Sequence, residues 1–190
     1  VYKRQGMFNQ LYTNLYREQK KIGLIVLTYC FAQTGTKKSI IEVPCDLIDN
    51  TIYDFNFTKW QRFFFSLKHK IVYRSLKKKV KDLSSINIIH AHSLFSNGYV
   101  SYKIKQNYDI PYIVSVRNTD INLFFSRMIH LRGLGLRILK EASAVVFLST
   151  AYKDFLLSTY IPKFDRQKIL DKTFIIPNGI DDFWLNNKPK

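Results

Sequence analysis

The stretch HAHSLFSNGY, residues 90–99, follows the apolar run Ile86–Ile89 without a break and holds two of the chain's four histidines, one residue apart. Imidazoles so placed can ligate a metal, serve in acid–base or substrate-binding chemistry, or simply pack. In an extended segment residues two apart point to the same side, so His90 and His92 can both face one ligand. Similar chemistry ends other apolar runs. Arg117, Asn118 and Asp120 follow one, Ser149 and Thr150 a second, and Asn178 and Gly179 a third. One such cluster arises easily by chance; polar clusters closing four successive apolar runs are the signal.

The elements that must position these residues alternate between strand and helix. Helix spacing covers Met7–Lys20, Leu94–Asn107, Leu131–Glu141 and, briefly, Ala151–Ser158. Trp60–Leu83 reads as a helix with Phe64, Leu67, Ile71, Leu76, Val80 and Leu83 roughly on one side and lysines opposite. Short apolar runs predict strands at Ile22–Phe31, Ile40–Val43, Ile86–His90, Pro111–Val116, Ala144–Leu148 and Phe174–Ile176, the last closed by the turn Pro177-Asn178-Gly179. Strands of this kind separated by helices imply an α/β fold, a Rossmann-like parallel sheet with helices on both faces. Such sheets bind ligands at the carboxyl ends of their strands. That rule places the four polar clusters on one rim.

A chain of 190 residues with 46% hydrophobic and 15% aromatic content is a globular protein, long enough to bury a core. No apolar run is long enough to span a bilayer, and no secretory signal is recognisable. Cys30 and Cys45 have no metal-binding spacing and read as buried thiols of a reducing, cytoplasmic compartment. The net charge of +16 is unevenly spread. Lys59–Lys81 contains Lys68, Lys70, Arg74, Lys77, Lys78, Lys79 and Lys81 among its bases, and no acid. Such a field attracts phosphates, on nucleic acid, lipid headgroups or a substrate.

For the histidines, the metal reading has a definite form. HxHS followed by Ser96-Asn97-Gly98 resembles the opening motif of the PHP family of metal-dependent phosphoesterases. Hydrolytic metal clusters need several more His, Asp or Glu ligands. Downstream only His130 is left among the histidines, set among Phe124, Phe125, Met128 and Leu131. No metal is therefore expected. His90 reads as a strand-end residue packed or hydrogen-bonded in place, and His92, next to Ser93, as the functional candidate.

Three blocks in order, IIHAHSLFSNGYVSYKIKQNYDIPYIVSVRNTDIN, KEASAVVFLSTAYKDFL and FIIPNGID, resemble the N-terminal half of a family 4 glycosyltransferase. Within that family they are most similar to bacterial enzymes of capsule, exopolysaccharide and teichuronic-acid assembly. The resemblance implies a GT-B architecture of two Rossmann-like domains, the first receiving the acceptor and the second holding the nucleotide-sugar and a Glu-x7-Glu motif. It implies a retaining, metal-independent glycosyltransferase with no cofactor, since the nucleotide-sugar is a substrate. By position, His92 falls where the family's HxH loop lines the acceptor side of the cleft. Arg117 falls where members carry His or Arg before a Gly. Asp120 matches the acid of RGxD, and Asn178-Gly179 the turn toward the second domain. His92 and Arg117 are thus the expected reaction centre, with Ser93, Asn97, Gly98, Asn118, Asp120, Ser149, Asn178 and Gly179 toward substrate. Two alternatives stay open: Asp120 as a helix N-cap for Ile121 onward, and Asn178-Gly179 as a plain tight turn. Asn118 stands where the family has Gly, and Ser96-Asn97-Gly98 replaces a common Pro-Asp-Gly.

The ends depart further from the family pattern. Gly6-Met7-Phe8 resembles the end of the glycine-rich loop that approaches the donor diphosphate, so the first strand is expected to be missing. Its neighbours would then carry unpaired backbone groups, at about 1–3 kcal/mol for each left buried. Residues 1–184 are expected to form the acceptor-binding domain and 185–190 the start of the linker, with the nucleotide-sugar domain absent and the fragment alone inactive. For Trp60–Leu83 the reading is docking on an anionic membrane surface, the inner face of the cytoplasmic membrane, where a glycan or lipid-linked acceptor would be presented. A solvated helix face is the plain alternative. A nucleic-acid-binding module and a non-catalytic sugar- or nucleotide-binding domain are the rivals from other classes. No nucleic-acid partner is expected, because no RRM, KH, zinc-finger or helix-turn-helix pattern is present.

Overall fold

The structure, a computed structural model, describes Leu15, Glu18, Gln19 and residues 21–35 and 51–178, the side chain of Arg62 excepted. The strand expected at Ile40–Val43, most of the helix expected at Met7–Lys20, and Gly6, Cys45 and Gly179 lie outside the described residues. The chain divides into two compact units, with breaks between Lys79 and Val80 and between Pro177 and Asn178, so that the second unit is Val80–Pro177.

In the first unit β1, Thr28–Gln33, runs parallel to β2, Thr51–Phe57, from the pair Thr28–Thr51 to the pair Gln33–Phe57. The strand expected from Ile22 begins only at Thr28, and Ile22, Leu24 and Ile25 are exposed. β2 is an element that the run of apolar residues did not reveal. Its Asp54 is 4% exposed and accepts from Asn56 Nδ2 at 2.8 Å, Tyr29 Oη, and Lys79 Nζ at 3.0 Å. A buried carboxylate is tolerable only with such partners. Burial pushes its pKa up, but hydrogen bonds from Ser75 and Tyr29 and the Lys79 charge outweigh it and hold the group below the usual range.

The helix α1, Phe65–Lys79, packs on β2 through His69, Val72 and Leu76. That is the 3–4 spacing of a single buried stripe. The single helix expected over Trp60–Leu83 is thus interrupted. Gln61–Phe63 forms a short 3-10 turn, Phe64 is extended, and the α-helix starts afterwards. The expected apolar side also shifts. Phe64 is 63% and Leu67 47% exposed, because a face centred on Val72 turns Leu67 to the opposite side.

The second unit is built on four parallel strands in the order β3 (Ile89–Ala91), β4 (Tyr112–Val116), β5 (Ala144–Phe147) and β6 (Thr173–Ile175). Flanking helices connect them: α2 (Ser96–Tyr108), α3 (Arg132–Glu141), α4 (Thr150–Tyr160) and α5 (Lys163–Leu170). The chain is an α/β protein with parallel sheets and flanking helices, as an N-terminal GT-B-like Rossmann subdomain requires. Among the described residues β3 pairs only with β4.

Between β4 and α3 the helical segment widens into a π-type turn at Asp120–Phe125. It carries Phe124 onto the Phe95 ring, stacked at 4.6 Å, and Phe125 edge-on to Phe95 at 5.3 Å. Gly135 in α3 makes room for both: a Cβ there would lie 2.7 Å from Phe95 Cζ and 2.8 Å from Phe125 Cζ. Among the described residues no helix is long and apolar enough to cross a membrane.

Candidate functional site

The loops that leave β3 and β4 are tied together by one side chain. Asp120 is 2% exposed, and its carboxylate accepts three backbone N–H groups: Leu94 at 2.9 Å, Phe95 at 3.1 Å and Arg117 at 2.9 Å. Phe95 is the N-cap of α2 and Leu94 the residue before it, at a helix end whose first N–H groups have no partner within the helix. An acid from the next strand's loop therefore caps α2 from outside, where the helix dipole favours negative charge. The N-cap expected for Ile121 onward is realised instead on another helix. Burial pushes the Asp120 pKa up, while the three N–H donors and the Arg117 charge pull it back toward the ionised form.

His90 and His92 stand with ring centres 4.2 Å apart. His90 Nε2 lies 3.1 Å from Ser115 Oγ, which fixes it at the strand end. Arg117 Nε donates to the His92 carbonyl at 2.9 Å, a second tie between the two loops. Burial first, then the neighbouring His90 and Arg117, bring His92 down to about 3. Burial and Arg117 lower His90 likewise. Both imidazoles are neutral near pH 7, and each has one ring nitrogen able to accept a hydrogen bond. Among the described residues no three His, Cys, Asp or Glu side chains are grouped as a metal ion would need.

Ser93 and Asn97 form a local pair. Ser93 Oγ donates to Asn97 Oδ1 at 2.7 Å and accepts from Asn97 N at 3.1 Å. Gly98 is buried in the first turn of α2, where a Cβ would meet Val114 Cγ2 and Ile138 Cγ2, each at 3.2 Å. Its bareness serves helix–sheet packing. Asn118 is exposed and hydrogen-bonds Asn122, and both line a shallow depression of about 300 Å³ with Thr119, Leu123 and Arg127. Ser149 accepts from Tyr152 N and caps α4. Asn178 is exposed and Gly179 is undescribed.

The structure thus brings His90, His92, Ser93, Asn97, Arg117 and Asp120 together, and it gives Gly98 and Ser149 packing and capping roles. It adds Ser115, Asn122 and Arg127. Ser115 was legible in principle, since His90 registers with Ile113 and Ser115 lies two residues on, facing the same side of β4. Asn122 and Arg127 depend on the π-type turn, which leaves no sequence periodicity.

The basic residues of α1 fall into two sets. Lys79 engages Asp54 and the Tyr53 carbonyl, Lys68 Nζ lies 5.5 Å over the Phe57 ring, and Lys77 lies 5.8 Å over Tyr73. Lys70, Arg74 and Lys78 are exposed, as is Lys81 beyond the helix.

The parallel sheets with flanking helices, whose strand-end loops carry these imidazoles, the guanidinium and the buried carboxylate, define a Rossmann-like α/β fold. The model of the family described as Glycosyltransferase Family 4 matches residues 12–182, and the chain belongs to that family. No curated protein matches the chain.

Proposed function

We propose that the chain supplies the acceptor-side residues of a retaining glycosyltransferase, one that moves a sugar from a nucleotide-sugar to a glycan or lipid-linked acceptor. Surface polysaccharide of the capsule, exopolysaccharide or teichuronic-acid type is the product class, and the cytoplasmic, inner face of an anionic membrane is the place of work. The observation that carries the reading is the Arg117–His92 tie, set on loops that the Asp120 carboxylate locks.

Departure of a nucleoside diphosphate leaves extra negative charge, and a guanidinium held in place stabilises it without reorganising. Arg117 is held through Nε on the His92 carbonyl. A neutral imidazole can accept a hydrogen bond from a sugar hydroxyl or steady an oxocarbenium-like centre, and burial keeps His92 neutral. Asp120 acts as a positioning residue, its oxygens committed to backbone N–H groups. The depression beside Asn118 offers amide and guanidinium groups to acceptor hydroxyls.

The test is transfer from radiolabelled nucleotide-sugars to bacterial lipid and glycan extracts, using the full reading frame that encodes this chain. Arg117→Ala and His92→Ala should each lower turnover by about a hundredfold or more while the protein stays folded. Turnover within about a factor of two of the unaltered protein would remove both from the reaction centre.

A further inference from the structure

In the first unit, Trp60–Lys78 carries a surface that the strand-end site does not use. Trp60 and Phe63 are each 79% exposed, Phe64 63% and Leu67 47%. Four large apolar side chains within eight residues are thus left in water, and large exposed apolar patches mark surfaces that something covers. Along α1, Leu67, Lys70, Arg74 and Lys78 follow offsets of three and four residues, so they form one stripe. That stripe lies opposite His69, Val72 and Leu76, which face β2. Its apolar end adjoins the exposed aromatics, and its other end is cationic. Rings and charges are segregated along the stripe.

We propose that this face docks on an anionic lipid surface, with Trp60, Phe63, Phe64 and Leu67 entering the headgroup and upper acyl region and Lys70, Arg74 and Lys78 resting on lipid phosphates. This rests on the reading that the chain works at an anionic membrane, and it names the element that enters it. Charge complementarity selects the occupant: no acid interrupts Lys59–Lys81, and clustered bases near an anionic bilayer add attraction for each charge. Aromatic rings belong at the water–lipid interface. A nucleic acid would instead call for rings interleaved with cations, so that bases stack while phosphates are neutralised.

The chain has two tryptophans, so Trp184→Phe leaves Trp60 as the reporter. Its emission is followed as vesicles of phosphatidylcholine, with or without phosphatidylglycerol, are added, and partitioning is measured by co-sedimentation. The expected result is a blue shift and protection from aqueous quencher with the anionic vesicles. F63S/F64S/L67S should weaken partitioning at least about tenfold with an unchanged melting curve. K70Q/R74Q/K78Q should weaken it about a hundredfold and abolish the preference for phosphatidylglycerol. Anionic-vesicle binding with no change at Trp60, and none from F63S/F64S/L67S, overturns insertion but leaves membrane docking by charge standing. Absence of binding to any vesicle overturns both. A Trp60 already shielded without lipid, in a monomer or a self-associated species, shows that protein covers the patch and overturns the proposal. Binding of RNA or DNA without vesicle binding does the same.

Discussion

The two loops after β3 and β4, and the outer stripe of α1, are both rich in polar and charged groups, yet they use them in opposite ways. In the loops the groups face each other. Asp120 takes three backbone N–H groups, Ser93 and Asn97 pair, and Arg117 holds the His92 carbonyl. On α1 the charges of Lys70, Arg74 and Lys78 point to solvent. The same residue types give rigidity where they are buried with partners and attraction at a distance where they are not. A reaction centre needs the first arrangement and a docking face the second.

The largest contrast should appear in stability. Asp120→Ala leaves three N–H groups without their acceptor, two of them at a helix start, and should cost on the order of 3 kcal/mol or more. K70Q/R74Q/K78Q should stay within about 0.5 kcal/mol of the unaltered protein. Urea denaturation of both reads the difference, and equal costs would erase the contrast.

Gly135→Ala probes the packing beneath the loops. The added methyl would press on Phe95 and Phe125 at distances that no Cβ tolerates, so those rings must shift, at about 1–3 kcal/mol. A neutral result would mean that the aromatic cluster yields freely and does not brace α2.

Acid should act on the buried imidazoles. His92 titrates near 3 and His69 near 4 when folded, both lowered mainly by burial, and His90 is lowered too. Unfolded histidines take up a proton near pH 6.5. Between about pH 6.5 and the folded values the unfolded state binds more protons, so stability falls as pH falls through that window and is flat above it. Asp120, raised by burial, works in the opposite direction between the ordinary carboxylate value and its own raised one. His92→Gln should remove up to about 1.4 kcal/mol per pH unit from the slope, measured by denaturation from pH 7 downward. An unchanged slope would mean that His92 is protonated in the fold.

Much of the second unit was legible because its strands are short apolar runs between helical patterns, and polar residues close those runs at the strand ends. Arg117, His92 and Asp120 could be found that way. The role of Asp120 could not, since its partners, Leu94 and Phe95, lie 26 and 25 residues earlier and only the register of β3 on β4 brings them near. β2 was hidden because Asp54 and Asn56 break its apolar run, and they do so to meet Tyr29 and Lys79 inside the unit. α5 was hidden because it is short and polar, burying Ile169 and the Asp165 that pairs with Lys140 at 2.7 Å. The break at Phe64 was hidden because periodicity over Trp60–Leu83 does not say which of two apolar faces the sheet will take.

The central claim is that two loops make one reaction centre, and a double-mutant cycle on turnover tests it most directly. His92→Ala, Arg117→Ala and the pair are compared in the full reading frame, with folding checked for each. Residues that act as a unit lose most of their effect together, so the pair should be no more than about threefold slower than the slower single variant. Penalties that multiply in full would contradict the account and assign the two residues to separate tasks.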